Sequence, residues 1–297
     1  MLYLSCCISF LTLYQEIQVR YIDTEQITKR VKEAVVRANV ELDDNMISAL
    51  KDALNREESE IGREVIHELI KNAEIARREG IPMCQDTGIA TIFVRIGQEV
   101  SITGGNLYDA LEEGVRQGYN EGYLRKSVCH PLTRENTKDN TPPIIHTDIV
   151  SGDVLTIWIM PKGGGAENVS RLYMLNPTES WGVIKEKIIE TIKEAGGKAC
   201  PPLIIGVGIG GNFETAPLLA KKSLLRSVGS KNSDPDLADM EMELLKEINK
   251  LGIGPQGLGG RITALAVHIN MMPCHIASLP VAINIQCNAN RSIKIDL

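Results

Sequence analysis

The sequence predicts an α/β protein, a helical N-terminal region packed on a mixed-sheet domain. Three observations lead there. Residues 23–80 carry apolar side chains at helical spacing, with cap signals at each break. After Gly80 the pattern changes to short apolar runs bounded by Gly, Pro, Asn and Asp. Those runs then alternate with helical stretches to the end of the chain, the order expected of an α/β layer structure.

Each element follows in turn. Asp23-Thr-Glu-Gln26 makes a capping box ahead of Ile27, Val31, Val35 and Ala38. Asp43 or Asp44 caps a second helix that ends near Arg56, and a third, with Ile61, Val65, Leu69 and Ala73, stops at Gly80 before Pro82. Strands are expected over 89–96, 144–150 and 153–160, with a helix over 107–123 between the first two. Gly196-Gly197 ends a helix over 179–195. Leu203–Val207 reads as a buried strand, followed by helices over 214–226 and 235–250, the second capped by Ser233 or Asp234. Strands near 262–270 and 281–286 complete the chain.

The 297 residues are ample for a buried core. Net charge is −6 with Lys and Arg scattered, which argues against a nucleic-acid partner; an anionic substrate must be met by local cations. Seven cysteines in a long chain, with no dense framework, suit free thiols in a reducing cytoplasm. Residues 1–22 read as a disordered extension or an upstream start. The apolar run Leu2–Tyr14 has no preceding Lys or Arg, is followed by no clear cleavage site, and is too short to span a bilayer. The domain proper is expected over 23–297, with no membrane segment.

Cys84, Cys200 and Cys287 each lie in a polar or Gly/Pro/Asn-bearing turn. Three thiolates on an iron–sulfur cubane leave one iron open to water or substrate. Without a C-x-x-C pair, however, spacing does not separate this reading from ordinary buried cysteine. Gly206-Val-Gly-Ile-Gly-Gly211 formally fits a dinucleotide loop between strand and helix, but no acidic strand end follows about twenty residues on. Its glycines are expected instead to bring backbone N–H groups close to Cys200. Lys162-Gly-Gly-Gly165 is either a plain turn or a nest of donors for a carboxylate.

Cys84-Gln-Asp-Thr-Gly88 resembles the signature of the class I, iron–sulfur-dependent fumarate hydratases and L-tartrate dehydratases. Lys162-Gly-Gly-Gly-Ala-Glu-Asn168, Ala199-Cys-Pro-Pro202, Gly206–Asn212 and His275, twelve residues before Cys287, continue the likeness over residues 24–291. The chain resembles a separate α subunit of that family. The resemblance implies a [4Fe–4S] cluster on Cys84, Cys200 and Cys287 with one open iron. It implies Asp86 as a catalytic group in contact with substrate, and substrate contacts from Gln85, Arg125, Gly164, Gly165 and His275. Reversible hydration of fumarate to (S)-malate is the first expectation, and dehydration of L(+)-tartrate the second. A β subunit, in an α2β2 assembly, would supply the rest of the site. Ala166-Glu167-Asn168 differs from the Ser-Ala-Asn form associated with fumarate hydratases, a difference that bears on substrate choice. Two other classes stay open: a dinucleotide-dependent oxidoreductase, and an electron-transfer protein with Cys129 or Cys274 as fourth ligand.

Overall fold

The computed structural model describes residues 18–297, so the expectations for residues 1–17 lie outside the described residues. The chain opens with strand β1 (Arg20–Asp23), three residues upstream of the expected start. It pairs in parallel with β3 (Val100–Thr103), and Ile22 is buried between them and the helices.

Three helices follow as the cap signals predict. Asp23 caps α1 (Thr24–Val40) by accepting from the Glu25 N–H at 2.8 Å. Asp43 caps α2 (Asp44–Arg56), and Ser59 caps α3 (Glu60–Glu79), which ends on Gly80 at φ 65°. The buried stripe of α3 is Gly62, Ile66, Ile70, Ala73 and Ala76, so Ala73 is buried as expected while Ile61, Val65 and Leu69 each give way to the next residue; Ile61 is 57% exposed. Two adjacent apolar rows share this helix, and spacing does not choose between them. Contact does: a Cβ at Gly62 would stand 2.9 Å from the Glu57 side chain, so this face is the one pressed inward.

The first large sheet has the order β10-β5-β2-β4. β2 (Ile89–Gly97) lies parallel to β4 (Ile144–Val150) and antiparallel to β5 (Leu155–Lys162), and β10 (Ile293–Asp296) closes the edge beside β5. Helix α4 (Leu107–Glu121) packs on α1 through Gly114 and Gly118, where a Cβ would meet Val31 and Val35.

The second sheet has the order β6-β9-β7-β8. It contains β6 (Arg171–Leu175), β7 (Leu203–Gly211), β8 (Ala264–Cys274) and β9 (Leu279–Gln286), with β7 parallel to β8 and β9 antiparallel to β7. A one-turn helix α5 (Gly164–Glu167) precedes β6; α6 (Trp181–Ala195), α7 (Thr215–Ser223) and α8 (Pro235–Ile248) complete the layers. The α/β class is as expected. The short elements β1, β3, β6, β10 and α5 were not legible, because four or five residues are too few to show a period.

Glu57, 5% exposed, ties the helical region to the approach to β8. Its carboxylate accepts from the backbone N–H groups of Glu58, Ser59, Arg261 and Ile262 at 2.7–2.9 Å. Burial opposes its ionisation, but the four donors outweigh it and hold the carboxyl below its ordinary pKa. A depressed folded pKa stabilises the fold above the unfolded value, near 4.3, and that contribution is lost as pH falls through the folded pKa. Glu57→Gln is therefore expected to cost about 2–4 kcal/mol at pH 7. Urea melts of variant and parent at pH 7 and at about pH 3 should converge towards the acid end.

Candidate active site

The Ile81–Gly88 loop, between α3 and β2, is pinned largely through its own backbone groups, most of them held by side chains from elsewhere in the chain. The Met83 N–H donates to the Asn39 carbonyl and Asn72 Nδ2 to the Met83 carbonyl. Buried Tyr119 donates its hydroxyl to the Thr87 and Gly88 carbonyls at 2.7 and 2.9 Å, and Asn140 Nδ2 donates to Gly88 as well. Gly88 has φ 72°, and a Cβ there would meet the Lys162 backbone at 2.7 Å, so only glycine fits. Between these anchors Cys84 and Gln85 are left exposed.

Strand pairing brings the other two cysteines together. Cys200 precedes β7 and Cys287 follows β9, and the antiparallel register sets Ile204 opposite Gln286. Both cysteines thus emerge at one end of the sheet. Asn288 locks them there, donating its N–H and its Nδ2 to the Cys200 carbonyl at 3.2 and 2.8 Å. Burial pushes the Cys200 thiol up, and the charges of Cys287 and Cys84 push in the same direction, so both of those sulfurs lie within electrostatic reach of Cys200. Arg291, buried to 1% exposure, joins the loops by donating to Asn39 Oδ1 and to the Asp86 carbonyl, each at 3.0 Å.

Asp86 is held across the gap between the sheets. Its Oδ1 accepts from the Gly88 N–H at 2.9 Å, and its Oδ2 from the Gly164 N–H at 2.8 Å. The Gly164 donor, expected to serve a ligand carboxylate, is therefore taken by the protein's own. Gly165 backs onto the Lys198 carbonyl in the turn leading to Cys200. Asp86, Arg125, Ser127, Lys162, Gly164, Glu167, Asn168 and Lys221 line one cavity of about 340 Å³.

Its charged wall was only partly legible. Lys162 ends the apolar strand β5 and is buried; it donates to the Ile285 carbonyl and pairs with Glu167 Oε2 at 3.1 Å. Lys221, from the last turn of α7, pairs with Glu167 Oε1 at 2.5 Å. Burial opposes ionisation of Glu167, but the two ammoniums outweigh it and bring its carboxyl down to about 2. Burial lowers the Lys162 ammonium pKa despite that pairing. A lysine closing an otherwise apolar strand was the available signal; Lys221 and Arg291 gave none, since surface helices and chain ends carry such residues routinely.

Several expected residues are not brought here. His275 follows β8 at the end opposite Cys200, and the nine residues of β7 separate the two ends by roughly 26 Å. The same register removes Cys274 as a fourth ligand; its thiol donates to the Ser278 carbonyl. Gln85 stays beside Cys84 without lining the cavity. Gly206–Gly211 forms no loop but the second half of β7. A Cβ at Gly206 or Gly208 would strike the Ala220 or Ala216 carbonyl, so these glycines seat α7 on the sheet, and neither a dinucleotide nor a cluster is served by them.

The donor set suits a polynuclear cluster. Among the described residues no three His, Cys, Asp or Glu side chains stand close enough to hold one metal ion. Cys84 and Cys287, both within reach of Cys200, complete with it the thiol set a cubane would need, since in a cubane each thiolate holds a different iron.

The family model described as fumarate hydratase (Fumerase) matches residues 28–296, taking in nearly every element from α1 to β10. That span places the chain among the hydro-lyases, enzymes that add or remove water at a carbon–carbon bond. The chain belongs to the fumarate hydratase (Fumerase) family. A Methanocaldococcus jannaschii protein provisionally named L(+)-tartrate dehydratase subunit alpha is 42% identical over 281 residues, 91% of this chain and 99% of its own. The L(+)-tartrate dehydratase subunit alpha of Escherichia coli strain UTI89 is 32% identical over 270 residues, 90% of this chain and 89% of its own.

Proposed function

We propose that this chain is the α subunit of an iron–sulfur hydro-lyase that dehydrates L(+)-tartrate to oxaloacetate, with fumarate hydration as the second reading. This reverses the order expected from the sequence, because the similar relatives carry the tartrate name. The observation that carries the reading is the strand pairing that brings Cys200 and Cys287 to one end of the sheet, with Cys84 in electrostatic reach and Asp86, two residues on from it, in the cavity wall. Those three thiolates would hold the [4Fe–4S] cluster, which supplies Lewis acidity towards the departing hydroxyl.

The rest is done by side chains of this chain. Arg125 presents a planar guanidinium suited to a substrate carboxylate. Lys221 adds cationic charge to the same cavity. Asp86, immobilised by two backbone donors, exchanges a proton with the oxygen being lost or added. Gln85 offers a donor and an acceptor beside Cys84. The α label of the relatives supports a β subunit that completes the site, in an α2β2 assembly, and free thiols suit the cytoplasm. No helix among the described residues is long and apolar enough to cross a membrane.

Anaerobic co-expression with the β chain, followed by paired assays of L-tartrate and fumarate, tests this. Tartrate turnover that is lost in air supports it. Fumarate preference changes the substrate and keeps the site, while turnover of neither acid overturns the reading.

A further inference from the structure

The Lys162–Glu167–Lys221 group is built unlike a structural ion pair. Lys162 is closed off, with its side chain 3% exposed, and Lys221 is 19% exposed, yet the Glu167 side chain between them is 41% exposed. That opening faces the cavity shared with Asp86 and Arg125. An ionised carboxylate offers four lone-pair sites and no donor. Lys162, Lys221 and Asn284 Nδ2, the last at 3.3 Å, take three of them. One acceptor site remains, on Oε1 of Glu167, a residue that lines the cavity.

Even beside two ammoniums, a carboxylate oxygen with a free lone pair is a poor neighbour for a substrate C–H group, which gives it no proton to accept. It becomes a favourable one only if the substrate brings a hydroxyl to donate. The two candidate substrates differ in that group. Tartrate keeps a hydroxyl on the carbon that gives up its proton; malate has only hydrogens there. Glu167 and Asp86 share one wall, since Asp86 is bonded to the first residue of α5 and Glu167 is its last. Two carboxylates on one wall suit a substrate that carries oxygens on adjacent carbons.

We propose that Glu167 is a specificity-determining residue, accepting a hydrogen bond from the retained hydroxyl of a 2,3-dihydroxy C4 diacid and disfavouring acids that lack it. The two lysines fix the carboxylate's position and keep it in its accepting form. The inference rests on the hydro-lyase reading above, and deepens it by naming what the cavity recognises.

The test uses the assembled, anaerobically loaded enzyme with Glu167→Gln and Glu167→Asp. The first replaces one acceptor oxygen with a donor; the second keeps a counter-ion for buried Lys162 and withdraws the acceptor by one methylene. Two readouts are taken: kcat/KM for L-tartrate against (S)-malate, and Kd for L-tartrate against succinate by calorimetry. Both variants should lower the tartrate-to-malate ratio by about tenfold or more, with the binding preference for tartrate over succinate falling in parallel. A ratio within twofold of the parent in both variants, with folded and active enzyme, would overturn the role of Glu167 and leave the hydro-lyase reading intact. A parent that turns over neither acid, yet prefers tartrate over succinate in binding through Glu167, would overturn the reaction and support the inference.

Discussion

Replacing Cys200 with serine is expected to abolish turnover and to leave substoichiometric, labile iron. Cys200 is the central ligand of the proposed three. Its backbone carbonyl takes both donors of Asn288, so its position is set by the loop that carries Cys287. Its thiol is also the one on which burial and the other two cysteines act together. A serine alkoxide is far harder to form than a thiolate, and a neutral hydroxyl is a poor ligand for iron. Loss of a Lewis-acid contribution of several kcal/mol corresponds to about a 10³-fold or greater fall in rate. Iron content per chain, visible absorption of the anaerobically reconstituted protein and turnover should all fall together. Full activity with an intact cluster would remove Cys200 from the ligand set.

Asp86→Asn is expected to separate chemistry from cluster assembly. The native carboxylate accepts two backbone N–H groups, one on each oxygen. An amide keeps one acceptor and sets its own N–H groups against the other donor, while losing the capacity to take a proton. Removal of a positioned acid–base group costs roughly 10²–10⁴-fold in kcat. Iron content should stay near the parent value, because the Arg291 contact runs to the Asp86 backbone carbonyl, which the substitution does not touch. Rapid-quench or coupled assays of kcat beside iron analysis give the answer. If iron is lost in proportion to activity, Asp86 supports the loop and does no chemistry.

The cysteine motif and the helical front of the molecule were legible because their signals are local. A cap residue acts on an N–H two or three positions away, as Asp23 does on Glu25, and a glycine helix stop such as Gly80 needs only its own backbone. The Cys-Gln-Asp-Thr-Gly run marked the site loop through its resemblance to a family signature; the structure adds that Gly88 passes within contact of the Lys162 backbone and tolerates no side chain. The glycine-rich run 206–211 misled for want of a partner in view. The same residues serve a phosphate loop or a strand beneath a closely packed helix, and only the Ala216 and Ala220 carbonyls decide which.

What the sequence determined by itself was therefore the α/β class, most element positions and the family motifs, among them the three cysteines proposed as ligands. Tertiary structure alone decided which of these meet. Antiparallel pairing of β7 with β9 carries Cys200 and Cys287 to one end, and parallel pairing of β7 with β8 sends His275 to the other. It also assembled Lys162, Glu167 and Lys221 from a strand end, a one-turn helix and a surface helix. Pairing and register are long-range choices, settled by the burial of whole sheet faces, and no window of neighbouring residues contains them.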